Sequence, residues 1–263
     1  MNVGTVSHRS AVSNPRAGIV LLAAVVTSIT ATADEPLLPP ELQAKMTAEW
    51  DRTIRETTAA IEADPQNLGL YSRRGDARFF SAQFAAAVAD YDRMVELDPA
   101  TDASHWRRGI AYFYAGRYAD AAAQFERYHS FDDVDRENGI WRYLSQVKAH
   151  GRDKARQGLL KYAKDDREPF PQVYELFAGR TTPEAILKSI ADAKITPAER
   201  QPREFYARLY IGLNEFIEDR PQTALVHLEH AVRNPWWQTA GYGPNYMGHV
   251  ARLHVDLLRK PKD

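Results

Sequence analysis

The sequence predicts an all-α chain: a solenoid of helix–turn–helix units with irregular central repeats and a C-terminal capping helix. Three observations carry this. Two consecutive 34-residue windows, 68–101 and 102–135, place Gly75 and Gly109, Ala87 and Ala121, and Tyr91 and Phe125 at matching positions. Pro65 and Pro99 keep the same period, and each closes a similar run, Ile61-Glu62-Ala63-Asp64 and Val95-Glu96-Leu97-Asp98. A third copy spans 205–238, where Gly212 and Ala224 stand 12 residues apart, as Gly109 and Ala121 do.

The N-terminal 33 residues read as a secretory signal. Ala17 to Val26 is uncharged, follows Arg9 and Arg16, and leads to Ala31-Thr32-Ala33, the small-residue spacing of a cleavage site before Asp34. That apolar core is shorter than the roughly 18 residues of a spanning helix. The expectation is an exported protein, periplasmic or extracellular; the alternative is a membrane tether formed by an uncleaved N-terminal segment. The 263 residues contain no cysteine, which excludes a disulfide framework, a thiolate zinc site and a lipid-modified cysteine. Cleavage would remove two of 34 Lys/Arg and none of 35 Asp/Glu, leaving a formal charge of −3, so no nucleic-acid partner is expected.

Residues 34–67 form a linker and a helix from about Glu41 to Asp64, which either packs on the first repeat or supports a homodimer through exposed residues that include Trp50. In 68–135, paired helices must approach closely, so small Gly75, Ala87, Gly109 and Ala121 face bulky Tyr91 and Phe125. Phe84 and Tyr118 follow the internal turns at Ser81-Ala82-Gln83 and Gly116-Arg117, and Asp98-Pro99 ends a helix because proline lacks a donor. Residues 136–204 are degenerate: Tyr143 takes the glycine phase, Asp153 to Lys164 reads as a helix after the Gly151-Arg152 turn, and Val173–Phe177 and Thr182–Ala193 make a shorter pair. A last helix in 239–263, about Tyr246 to Arg259, would cover the exposed end of the stack.

These phased residues, Gly75, Ala87, Tyr91, Pro99, Gly109, Tyr112, Ala121 and Phe125, resemble the tetratricopeptide (TPR) repeat family. The chain departs from that pattern at Arg74 and Arg108, where a leucine-like residue is usual, and at Tyr128 and Asp133. Over about 68–230, Arg108-Gly109-Ile110-Ala111, Gly151-Arg152-Asp153-Lys154-Ala155, Leu159-Leu160, Asp165-Asp166 and Pro169-Phe170 are similar to the envelope TPR proteins called new lipoprotein I. That resemblance implies a dimerising helical adaptor that brings an envelope protease together with cell-wall hydrolases. The family's lipid anchor does not carry over, because its cysteine is missing.

The first helix of each repeat lines the inner face of such a stack. Ser72, Arg73, Asp76, Phe79, Trp106, Arg107, Ile110 and Phe113 are therefore the groove candidates. An apolar anchor of a partner protein or peptide would dock on the aromatics, with Arg73 or Arg107 orienting an acidic group; the alternative is that Trp106, Ile110 and Phe113 bury against a neighbouring repeat. The lysine–asparagine clamp by which some TPR domains hold a terminal carboxylate is absent. Trp236-Trp237 offers a second contact surface or a seal on the last helix. His227 with His230 and His249 with His254 lack a third ligand and read as structural or surface residues, so no metal and no cofactor is expected. A non-enzymatic scaffold is the leading reading; an envelope hydrolase built from distant residues is the alternative.

Overall fold

The computed structural model describes Met1, residues 36–164 and residues 166–260. Apart from Met1, the expected signal 1–33 and its cleavage point lie outside the described residues. Every regular element among the described residues is helical, and none is long and apolar enough to cross a membrane. Helix α1 (Pro40–Ala63) packs on α2 (Leu68–Phe80), which pairs with α3 (Phe84–Leu97); α4 (Trp106–Tyr114) pairs with α5 (Tyr118–Phe131). The central elements are α6 (Arg136–His150), α7 (Arg152–Gln157), α8 (Phe170–Phe177) and α9 (Pro183–Asp192). Long α10 (Pro197–Ile217) pairs with α11 (Pro221–Arg233), and α12 (Tyr242–Arg259) ends the chain.

Close helix crossing explains the glycine spacing. A Cβ built on Gly75 would lie 2.5 Å from the Tyr91 ring, one on Gly109 2.6 Å from the Phe125 ring, and one on Gly212 2.6 Å from Leu228. No real methyl group fits at such distances, so only glycine lets these side chains lie flat on the facing backbone. Ala87, Ala121 and Ala224 are fully buried in the same three pairs. The turns match too. Ala82, Gly116, Gly179 and Asp219 all have positive φ, and the next amide reaches back to a carbonyl five residues earlier in each: Gln83 to Arg78 (2.8 Å), Arg117 to Tyr112 (2.8 Å), Arg180 to Glu175 (2.9 Å) and Arg220 to Glu215 (2.9 Å).

The central region differs from the expectation. The helix expected over Asp153–Lys164 stops at Gln157, and α8 begins only at Phe170. The closely approached glycine there is Gly139, against Tyr162, while Tyr143 is an ordinary buried core residue. Helix α10 starts at Pro197 under a capping box in which Thr196 and Glu199 bond each other's backbone amides, so the expected boundary between 204 and 205 falls inside a helix.

The position of α12 is the main departure. Rather than covering an outer end, it runs back along the inner face to the first repeat. Tyr246 stacks on Phe79 with ring centroids 5.1 Å apart, Arg252 donates to the Phe80 carbonyl (2.6 Å), and the Tyr114 hydroxyl meets His254 Nδ1 at 3.0 Å. Residues 246–255 are buried without a break, which an element sealing one end would not require.

Candidate ligand-binding site

The groove candidates form two sets. Phe79, Ile110 and Phe113 are buried: Phe79 lies under Tyr246, and Phe113 sits edge-on to Tyr118 (5.4 Å) and Trp141 (5.5 Å). Phe79 is covered by α12 and Phe113 by α5 and α6, so neither belongs to an open docking surface. Ser72, Asp76 and Arg107 are tied together, with Arg107 Nη1 donating to Ser72 Oγ (3.0 Å) and to Asp76 Oδ1 (2.6 Å). Asp76 also accepts from the hydroxyls of Tyr91 (2.7 Å) and Tyr242 (2.6 Å), which clamps the start of α12 to α2. Arg73 is exposed. Trp50 faces inward, against the rings of Phe80 (5.9 Å) and His249 (5.3 Å) and under the Arg252 guanidinium (4.9 Å).

Half-buried Trp106 meets Tyr246 on one side (4.9 Å) and opens on a cavity of about 440 Å³ on the other. The walls come from elements far apart in sequence: Trp106 and Ile110 of α4, Phe125 and Tyr128 of α5, Trp141 of α6, Tyr206 of α10, Trp236 of the 3-10 turn Pro235–Gln238, and Met247 of α12. Each wall residue belongs to a helix face already turned inward by its own packing, so the space is what remains between α5, α10 and α12. Neighbouring Trp237 is buried, rests on Gly248, and donates from Nε1 to the Val232 carbonyl (3.0 Å).

One end of the cavity is charged. Asp135 caps α6, accepting from the Glu137 amide (3.0 Å) and from Asn138 Nδ2 (2.8 Å). Glu137, in the first turn of the helix, accepts from the Tyr210 hydroxyl and from Arg167 Nη2 (2.7 Å). Tyr210 in turn accepts from Trp141 Nε1 (3.2 Å). Burial pushes the Glu137 carboxyl up to about 7, against the opposing pull of Arg167. Burial also raises Asp135 above the usual carboxylate range. Arg167 stacks over Phe170 (4.3 Å) and Tyr206 (5.5 Å). The arrangement offers flat apolar faces, one arginine and carboxylates whose charge is incompletely balanced. No group of three or more metal-ligating side chains occurs among the described residues.

Trp106, Ile110 and Trp236 line this cavity and were among the residues singled out by spacing or type; Glu137, Arg167 and Tyr206 were not. The signal for them was weak. Glu137 and Arg167 sit in the stretch without a repeat, where nothing in the sequence brings them together across 30 residues, and Tyr206 lies in the middle of α10.

No model of a known protein family matches the chain, and no curated protein matches it. Among the described residues, fold and site define an all-helical protein whose inner face is closed by its own last helix, beside an aromatic-walled cavity with a charged end.

Proposed function

We propose that this chain is an exported, TPR-like, non-enzymatic adaptor that holds other proteins, and that a partner's side chain docks in the cavity beside Trp106. The observation that carries this is the cavity itself: about 440 Å³, walled by Trp106, Trp141, Tyr206 and Trp236, with polar groups converging at one end. Rigid aromatic faces give large contact area at small entropic cost, as binding hot spots do. Three helix pairs with the same glycine crossing and the same turn support the TPR-like reading. The resemblance to new lipoprotein I makes an envelope protease and cell-wall hydrolases the first partners to try.

Trp236 and Trp106 are the residues to probe, since both are half-buried at the cavity. A photocrosslinking residue at position 236 should capture a partner in envelope extracts, and the purified partner can then be titrated by calorimetry. Trp106→Ala is expected to weaken that binding by about 2 kcal/mol, roughly thirtyfold, with helicity retained by circular dichroism. Undiminished affinity in a folded Trp106→Ala protein would remove the cavity as the docking site. A hydrolase is the second reading, favoured by the buried carboxyl of Glu137, which burial pushes up to about 7, a range that suits a general acid or base. It requires turnover of a peptide or cell-wall substrate by the protein alone, abolished in Glu137→Gln.

A further inference from the structure

We propose that the charged end of this cavity receives the cationic head of a partner's arginine or lysine, with the aliphatic stem lying along the aromatic wall. This rests on the docking reading above and names its chemistry. Charge complementarity comes first. Three carboxylates line the space, Asp135, Glu137 and Glu168, against one cation, Arg167. That cation is already engaged, donating to Glu137 (2.7 Å) and lying 3.4 Å from Asp166. An acidic ligand would have to share Arg167 with these partners while meeting repulsion from three carboxylates. A basic one meets the repulsion of one cation against the attraction of three carboxylates.

The site also displays the required chemistry with its own side chain, because the Arg167 guanidinium lies against aromatic faces of Phe170 and Tyr206 while bonded to a carboxylate. A cation over aromatic faces that also bonds a carboxylate gains from both, even where, as with Arg167, 48% of the side chain stays exposed. Burial still holds Glu137 and Asp135 above the usual carboxylate range despite Arg167, so a second positive group would stabilise their charged forms. The groups facing Glu137 are Arg167 and Asp135, the Tyr128 hydroxyl from α5, and the Tyr206 and Tyr210 hydroxyls from α10; none of these is a second cation. Binding therefore favours ionised Glu137 and strengthens as pH rises through about 7.

Three of the five tryptophans, Trp106, Trp141 and Trp236, line the cavity and report on its occupancy by fluorescence. The probes are short glycine–serine peptides differing only in a central arginine, norleucine or glutamate, with free ethylguanidinium alongside. The arginine peptide is expected to bind at least about tenfold tighter than the norleucine peptide at about pH 8, and more weakly at about pH 6. Glu137→Gln should erase both the preference and the pH dependence. Glu168→Gln, at an exposed position where folding is not at stake, should weaken the arginine peptide by about two- to threefold. Equal binding of arginine and norleucine peptides, both lost in Trp236→Ala, would overturn the cationic reading and leave side-chain docking intact. Tightest binding of the glutamate peptide would overturn it in favour of Arg167 as receptor. Ethylguanidinium binding as tightly as the peptide would overturn a partner side chain in favour of a small amine. No binding of any peptide at about 10 mM would overturn both this inference and the docking reading.

Discussion

Asp90 is 2% exposed, yet it holds two guanidinium groups. Arg74 reaches it from Nη2 (2.7 Å) and Nε (3.1 Å), and Arg78 from Nη1 (2.8 Å). Arg74 also donates to Thr58 Oγ1 (3.2 Å), joining α1 to the first helix pair. This explains why Arg74 stands where a leucine-like residue is usual in the repeat pattern. The second pair repeats the geometry with a neutral partner: Arg108 meets buried Gln124 Oε1 (3.0 Å) and relies for charge on Asp92 (2.7 Å) and Asp102 (2.6 Å). Loss of a buried partner leaves the opposite charge desolvated and unbalanced. Asp90→Ala is therefore expected to cost about 3–5 kcal/mol in urea unfolding. Gln124→Ala should cost only about 1–3 kcal/mol, because Arg108 keeps both carboxylates. Equal losses at the two positions would reject this account.

Helix pairs are stitched by one turn in four versions, and its left-handed residue is glycine in two, Gly116 and Gly179, but Ala82 in the first. A side chain at positive φ costs energy that glycine avoids, and Ala82 is exposed, so nothing else is lost with its methyl group. Ala82→Gly should raise stability by about 0.5–1 kcal/mol, read as a higher urea midpoint at unchanged slope; an unchanged or lower midpoint would contradict it. Elements with the 34-residue period were legible, because a close crossing needs a glycine and a bulky residue 16 positions later, as in Gly75 with Tyr91 and Gly109 with Phe125. Central elements were not, because Gly139 is approached by Tyr162 from a non-helical segment, which follows no helical period. Helix α12 misled for a different reason. Its inward contacts, Arg252 to the Phe80 carbonyl and His254 Nδ1 to the Tyr114 hydroxyl, join residues far apart in sequence that no repeat period pairs. The site inherited both difficulties, since Glu137 and Arg167 come from the aperiodic stretch and Met247 from the misplaced helix.

Across the whole molecule, the buried histidines set the response to acid. Burial, helped by Arg107 and Arg108, lowers His105 to about 3; burial with Arg252 does the same for His249, and burial with Lys148 for His254. Each has one ring nitrogen without a hydrogen-bond partner: His105 Nε2, His249 Nδ1 and His254 Nε2. The unfolded chain takes up these protons near 6.5 and the folded chain does not. Stability is therefore unaffected by them above about pH 6.5 and falls below it, by about 4 kcal/mol per pH unit for the three together. Glu137 acts in the opposite sense. Its raised folded value means that the native state is penalised at high pH by about 3 kcal/mol, a penalty relieved as pH falls from about 7 towards 4.5. The two trends cross near pH 6.5, where stability should peak. By about pH 4.5 these three histidines have removed about 8 kcal/mol, His227, lowered by burial to about 4, adds to the loss, and Glu137 has returned about 3, a net loss comparable to the total stability of many domains. Loss of helical circular dichroism is thus expected at about pH 4–5, with α12 involved because two of the three histidines sit on it. His249→Phe isolates the cause, since the ring stays among Trp50, Phe80 and Trp237 without a proton to gain. Its stability should fall less than wild type between about pH 6.5 and pH 5, by about 2 kcal/mol in urea titrations. Identical pH dependence in the two proteins would show that His249 does not resist protonation in the folded state.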